Sequence, residues 1–216
     1  MATSKGRPFG LPDLPGYRKS LRFAGVADRI YEQRSMPNIS PLSVEEAPPE
    51  TKAIYESFQR RLTIPHPPNF ITTLGHSPSV AQATWTLVRD ILVTGAIPRW
   101  KKEMILVAIS KERGCRYCVA AHRACCRMLG VNPALLDSMV RDIDLVDDPG
   151  LRAILKFALK AARDPQSLAA EDFAMLRGYG LKEPEILELV AMAGLSVYIN
   201  ILADTTAMQV DEMFLE

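Results

Sequence analysis

Residues 103–122 read Glu103-Met-Ile-Leu-Val-Ala-Ile-Ser110-Lys-Glu-Arg-Gly114-Cys115-Arg-Tyr-Cys118-Val-Ala-Ala-His122. The apolar run after Glu103 continues a helical pattern that opens at Pro98, where proline is tolerated at the first helical position. Gly114 ends that helix, and a second, shorter one runs from the cysteine pair to Leu129, where Gly130 stops it. A thioredoxin-like reading of Cys-x-x-Cys wants a strand before the motif, and here a helix stands in its place. The order helix, glycine, cysteine pair, helix therefore points to an all-α protein.

The flanking sequence agrees. Ser43 with Glu46 three residues on is a capping-box pattern, predicting a helix from Ser43 to Leu62 that Ile64-Pro-His-Pro-Pro68 breaks. Ser77-Pro78 opens a helix whose apolar period lasts to Gly95. Further helices are expected from Pro133, over Pro149–Arg163, over Ala169–Arg177, and from Glu183 to Met208. The last is apolar on nearly all sides, as a helix in a large core or a subunit interface would be, and an interface in a homo-oligomer is the expectation. Nothing alternates with period two for long enough to make a strand. Residues 1–40, rich in proline, read as an irregular arm with one short helix near Tyr17–Gln33. Residues 41–216 read as the helical domain, with the motif region at 98–130 and a C-terminal helical half at 149–210.

The 216 residues, 48% hydrophobic, suffice for one substantial core. A formal net charge of +1 argues against nucleic acid or a membrane surface as partner. No apolar run is expected to reach the roughly 20 residues of a membrane span, and Met1–Gly10 lacks the apolar stretch of a secretory signal. All four cysteines fall between 115 and 126, whereas a secreted scaffold spreads its cysteines to staple distant loops. A redox or metal site in a reducing compartment, the cytoplasm, is expected instead.

Two cysteines separated by two residues at a helix start can close a disulfide. The helix N-terminus favours the thiolate, which is the reactive species. His122 lies one turn after Cys118 and on the same face, so it can take a thiol proton. Glu103 sits in an otherwise apolar stretch, where a buried carboxylate needs a partner: His122 if functional, Arg99 or Lys102 if it serves only in a salt bridge. The same ligand types permit a structural zinc site built from Cys115, Cys118, His122 and Cys126, although four ligands from one short helix cannot easily surround an ion. A non-catalytic redox sensor uses the same pair. Cys125 and Cys126 read as small buried hydrophobes, one of them facing the Cys118–His122 side as a reserve resolving thiol. Asn200 and Asp204, one turn apart in the apolar helix, satisfy each other, neighbouring backbone or a cavity. Trp85 and Trp100 read as core or interface anchors, and His66 and His76 receive no role.

The pattern Glu103, eleven residues, Cys115, two residues, Cys118, three residues, His122 resembles the alkylhydroperoxidase D (AhpD)-like and carboxymuconolactone decarboxylase superfamily. Ser110 and Tyr117 fit its peroxidase-related branch. The resemblance covers about residues 40–130 well, continues loosely through 151–204 and leaves out 1–38. It implies an oligomeric AhpD-like helical bundle, a trimer or hexamer, with thiol-dependent hydroperoxidase and antioxidant activity. It implies Cys118 as the peroxidatic cysteine, which becomes a sulfenic acid. Cys115 would resolve it, His122 would serve Cys118 as base, and Glu103 would complete the proton relay. Tyr117 and Ser110 are secondary candidates. No cofactor or metal is implied; the partners are a hydroperoxide and a dithiol reductant, lipoyl- or thioredoxin-like. Two departures stand out: Tyr117 replaces a second histidine, and Ile201 stands where relatives often place arginine. The decarboxylase branch lacks the cysteine pair, so lactone decarboxylation is not expected.

Overall fold

The structure, a computed structural model, describes residues 36–215. They belong to the larger of the two units into which the chain divides, 34–216. The helix expected near Tyr17–Gln33 lies outside the described residues. Among the described residues there is no strand. The α-helices are α1 (Pro49–Leu62), α2 (Asn69–Leu74), α3 (Pro78–Leu87), α4 (Arg99–Arg113), α5 (Arg116–Met128), α6 (Pro133–Arg141), α7 (Pro149–Arg163), α8 (Ala170–Gly178) and α9 (Glu183–Thr205). The fold is all-α.

Three local outcomes differ from the sequence reading. Ser43 and Glu46 make half of a capping box: Glu46 N donates to Ser43 Oγ at 3.2 Å, while Ser43 Oγ, in place of its backbone N–H, donates to Glu46 Oε2 at 2.9 Å. They close one turn only, and α1 begins at Pro49, because Pro48 and Pro49 have no N–H to continue a helix from 43. The helix from Pro78 becomes π-helical over Val88–Val93, ending with Thr94 N donating to Arg89 O at 3.2 Å. Such segments are rare and concentrate at functional sites. The unexpected short helix α2 follows the proline-rich break.

α4 is the centre of the molecule. Residues Met104–Ser110 are all buried, so this helix has no solvent face along that stretch. It packs against α5, α9 and α7. Each large aliphatic side chain there contributes roughly 1.5–3 kcal/mol on leaving water. Trp85 is buried as a core anchor, with Phe58 at 4.9 Å between ring centroids and its Nε1 donating to Ser57 Oγ at 2.9 Å.

α9 corrects one expectation. Its 23 residues are long and apolar enough, by composition alone, to cross a membrane. Half of that span is buried inside the fold, which explains its apolarity. Ile186, Leu189, Met192, Leu195 and Ile199 face the core, while Leu187, Val190 and Ile201 remain exposed.

Lys102 provides a second tie between α4 and α9. Its buried Nζ donates to Ile91 O at 2.7 Å and to Thr94 O, and lies 3.1 Å from Glu188 Oε1. Glu188 in turn accepts from Ala96 N at 3.1 Å and Ile97 N at 2.7 Å. This pair pins the end of the π-helical segment. It leaves no room for a side chain at position 95, where a Cβ would fall 1.5 Å from Glu188 Oε1. Gly95 also has φ +109°, which other residues rarely adopt. Replacing Lys102 with Met strands the Glu188 carboxylate and two carbonyls. A loss of roughly 3–5 kcal/mol in urea unfolding is expected.

Candidate active site

The site begins at the turn between α4 and α5. Gly114, at φ +77°, caps α4 in the left-handed region, and Cys115 N donates back to Ser110 O at 2.9 Å. That bond satisfies a carbonyl at the helix end and lets the chain start α5 at Arg116 without a loop. Cys115 becomes the N-cap of α5, while Cys118 and His122 lie one turn apart along it.

The tight turn folds α5 back along α4, and Glu103 meets His122. Nδ1 of His122 donates to Glu103 Oε2 at 2.6 Å, and Nε of Arg99 donates to Oε1 at 3.0 Å. Glu103 is fully buried, so both oxygens need these partners; a carboxylate buried without them costs several kcal/mol. The two readings of Glu103 therefore coexist: it pairs with Arg99 and also holds the histidine. Lys102 does not take part, being committed to Glu188. With Nδ1 donating, Nε2 is left as the imidazole nitrogen able to accept a proton.

Cys115 and Cys118 are both buried and free, and they approach to 2.9 Å. Contact with Cys118 first, then burial, then the charges of Cys118 and Asp204 push the Cys115 thiol far above the ordinary cysteine range.

Helix geometry separates the other two cysteines. At 100° per residue, position 125 returns to within about 20° of position 118, whereas position 126 is about 80° away. Cys125 accordingly lines the same cavity as Cys118. Its sulfur, a Glu103 oxygen and a His122 nitrogen all lie within 4.8 Å of one another. Burial foremost, then the Glu103 carboxylate, raise its pKa against the pull of Arg99. Cys126 is buried, its thiol pushed up to about 12, chiefly by burial. The zinc set that included Cys126 is therefore not the one assembled. Nor does Cys125 suit a reserve resolving role: seven residues of helix put it about 10 Å along the axis from Cys118, beyond disulfide reach.

Cys118, His122, Glu103 and Arg99 border a cavity of about 80 Å³. Its other walls are apolar, with Phe58 from α1, Phe70 from α2, Leu92 from the π-helical segment, Met128 from α5 and Phe214 from the C-terminal tail. These side chains were not legible as a site, because they meet only after five distant segments pack together. Tyr117 joins two of those segments. Its hydroxyl accepts from Phe70 N at 3.1 Å and donates to Asp211 Oδ2 at 2.9 Å, while Asp211 Oδ1 accepts from Asn69 N at 2.9 Å. Burial first, then Asp211, hold the Tyr117 phenol well above its usual pKa. Tyr117 is a tether that lines the cavity. Ser110 is buried, and its Oγ accepts from Asn200 Nδ2 at 2.9 Å. Asn200 does not pair with Asp204: its Nδ2 bonds Ser110 Oγ, and burial raises the Asp204 pKa above its ordinary value. Of the two unassigned histidines, His76 Nε2 contacts Ser40 O at 2.9 Å, away from the cavity.

Residues 78–164, which contain the whole Glu103–His122 unit, match the sequence model of the carboxymuconolactone decarboxylase family. The fold matches a solved alkylhydroperoxidase AhpD core, an uncharacterized peroxidase-related protein from Ralstonia eutropha JMP134. Identity is 25% and the TM-score 0.76, over 84% of this chain and 95% of that one. Together the two matches support the AhpD-like/carboxymuconolactone decarboxylase superfamily. A second peroxidase-related AhpD-like neighbour, from Silicibacter sp. TM1040, has 25% identity and TM-score 0.72, over 82% of this chain and 94% of that one. A variant of the debrominase Bmp8 in complex with 2,3,4-tribromopyrrole shares the fold at 24% identity and TM-score 0.70, over 82% of this chain and 92% of that one. No curated protein sequence matches significantly. In this AhpD-like site Tyr117→Phe strands the Phe70 amide and the Asp211 carboxylate. Expected is a loss of about 1–3 kcal/mol in chemical unfolding, with the cysteine pair still able to form its disulfide.

Proposed function

We propose that this chain is a thiol-dependent peroxidase that reduces organic hydroperoxides. The observation that carries the reading is the 2.6 Å bond from His122 to buried Glu103, set beside Cys118 at the wall of an apolar cavity. Glu103 fixes the imidazole tautomer, so that Nε2 takes the Cys118 proton. The Cys118 thiolate attacks the distal peroxide oxygen, the O–O bond breaks, and the alkoxide leaves as an alcohol with the proton held on His122. Cys118 is then a sulfenic acid. Attack by Cys115 expels water and forms the disulfide, which a dithiol, lipoyl- or thioredoxin-like, reduces by exchange. The reaction needs a reducing compartment such as the cytoplasm to restore the pair.

The apolar walls favour a substrate with a hydrocarbon body. Each methylene buried from water is worth about 0.8 kcal/mol, so a few such groups suffice for tenfold. Cumene hydroperoxide is expected to show kcat/KM at least about tenfold above hydrogen peroxide.

The assembly we propose is a homo-oligomer, trimer or hexamer, that covers the Leu187, Val190 and Ile201 stripe of α9. Light scattering after size-exclusion chromatography tests this. Leu187→Asp with Ile201→Asp should yield monomers, and a wild-type chain that is already monomeric refutes it.

The catalytic reading is tested with reduced protein and one equivalent of cumene hydroperoxide, followed by mass spectrometry. A Cys115–Cys118 disulfide should form, Cys118→Ser should abolish turnover, and Glu103→Gln should lower it roughly 10²-fold. A Cys118→Ser protein with full turnover refutes the assignment. A disulfide that forms but is never recycled by a dithiol marks a sensor instead. Release of bromide from a brominated pyrrole, with hydroperoxide left intact, would move the reading to the debromination named for Bmp8.

A further inference from the structure

The histidine beside Cys118 also belongs to a set of metal-ligand side chains. Glu103 comes from α4, while His122 and Cys125, one turn apart, come from α5. A Glu103 oxygen, a His122 nitrogen and the Cys125 sulfur lie within 4.8 Å of one another. All three line the cavity. Glu103 is fully buried, and the other two are partly so. Four ligands from α5 alone could not easily surround an ion; here two helices supply the donors.

We propose that Glu103, His122 and Cys125 bind a borderline-soft divalent cation, Zn²⁺ foremost, and that the bound ion switches off the cysteine pair. The second half rests on the peroxidase reading above. Carboxylate oxygen, imidazole nitrogen and thiolate sulfur are zinc donors, and around one tetrahedral ion they stand about 3–4 Å apart. The cluster needs only side-chain shifts of about 1 Å to reach that spacing: the 2.6 Å Glu103–His122 contact opens, and the wider separations of up to 4.8 Å close. The fourth position faces the cavity, where water completes the shell. Thiolate and imidazole donors select against Mg²⁺ and Ca²⁺. The step is balanced without a redox partner: the Cys125 S–H bond breaks, a metal–sulfur bond forms, and one proton leaves to solvent.

Arg99 holds Oε1 of Glu103, so Oε2 can turn from His122 to the ion. The guanidinium charge opposes the cation, and the Cys125 thiolate formed on binding offsets it. Inhibition follows from the imidazole. Bound through Nδ1, the ion forces the hydrogen onto Nε2, which then cannot accept the Cys118 proton. Bound through Nε2, it occupies the accepting lone pair itself. In both cases Cys118 loses its base.

Reduced, desalted, metal-free protein is given one equivalent of cumene hydroperoxide with and without micromolar Zn²⁺, and Cys115–Cys118 closure is read by mass spectrometry. Zn²⁺ should block closure, EDTA should restore it, and Mg²⁺ should have no effect. Cys125→Ala, compared with its own metal-free rate, should need at least about tenfold more Zn²⁺ for half-inhibition. Binding is read separately with Co²⁺ in a Cys115→Ser/Cys118→Ser variant. A near-ultraviolet thiolate-to-cobalt band should appear there and vanish when Cys125→Ala is added. Absence of that band, its survival in the Cys125→Ala background, or Cys125→Ala blocked by the same Zn²⁺ concentration as wild type overturns the site. A metal-free wild type that forms no disulfide overturns the peroxidase reading alone; the cobalt band needs no turnover and still decides the site.

Discussion

A carboxylate with no access to water must be neutralised by its neighbours, and Glu103 meets that demand with Arg99 on one oxygen and His122 on the other. The rest of the site follows from this constraint. The Arg99 bond stays within α4, so the local helix supplies it. The His122 bond spans the turn between α4 and α5 and fixes their register. It also orients the imidazole, since the nitrogen facing Glu103 carries the hydrogen and the other can accept one. A stabilising requirement and a chemical one are met by one short contact.

The turn is as economical. Gly114 takes the left-handed conformation, Cys115 bonds back to Ser110, and the next helix starts at once. The cysteine pair is therefore rigidly placed, while the two thiols face different surroundings. Cys118 opens on the apolar cavity beside His122, and Cys115 caps the start of α5. α9 is tied to α4 through Asn200 to Ser110 and Glu188 to Lys102, and to α3 through Tyr198 to Thr84.

Much of this was legible in advance because it is local. The helix–glycine–cysteine–helix order follows from capping chemistry and periodicity, and the shared face of Cys118 and His122 follows from their four-residue spacing. Glu103 stood out as a charge within an apolar run. What escaped was non-local. The choice between Cys125 and Cys126 needed the direction of the cavity as well as the helix period. The helix expected from Glu183 to Met208 ends at Thr205, three residues early. Half of the capping box at Ser43 formed, but Pro48 and Pro49 cut short the helix it was expected to start.

The sequence by itself determined the all-helical class and the placement of Cys115, Cys118 and His122 around one helix start, since these depend on neighbours within about two turns. Only the tertiary structure decided that Lys102 serves Glu188 while Glu103 serves His122, that Tyr117 is a tether, and that Asn200 reaches Ser110. The physical reason is that a buried polar group takes whichever partner the packing of distant segments brings within hydrogen-bonding reach, and one-dimensional spacing does not encode that distance.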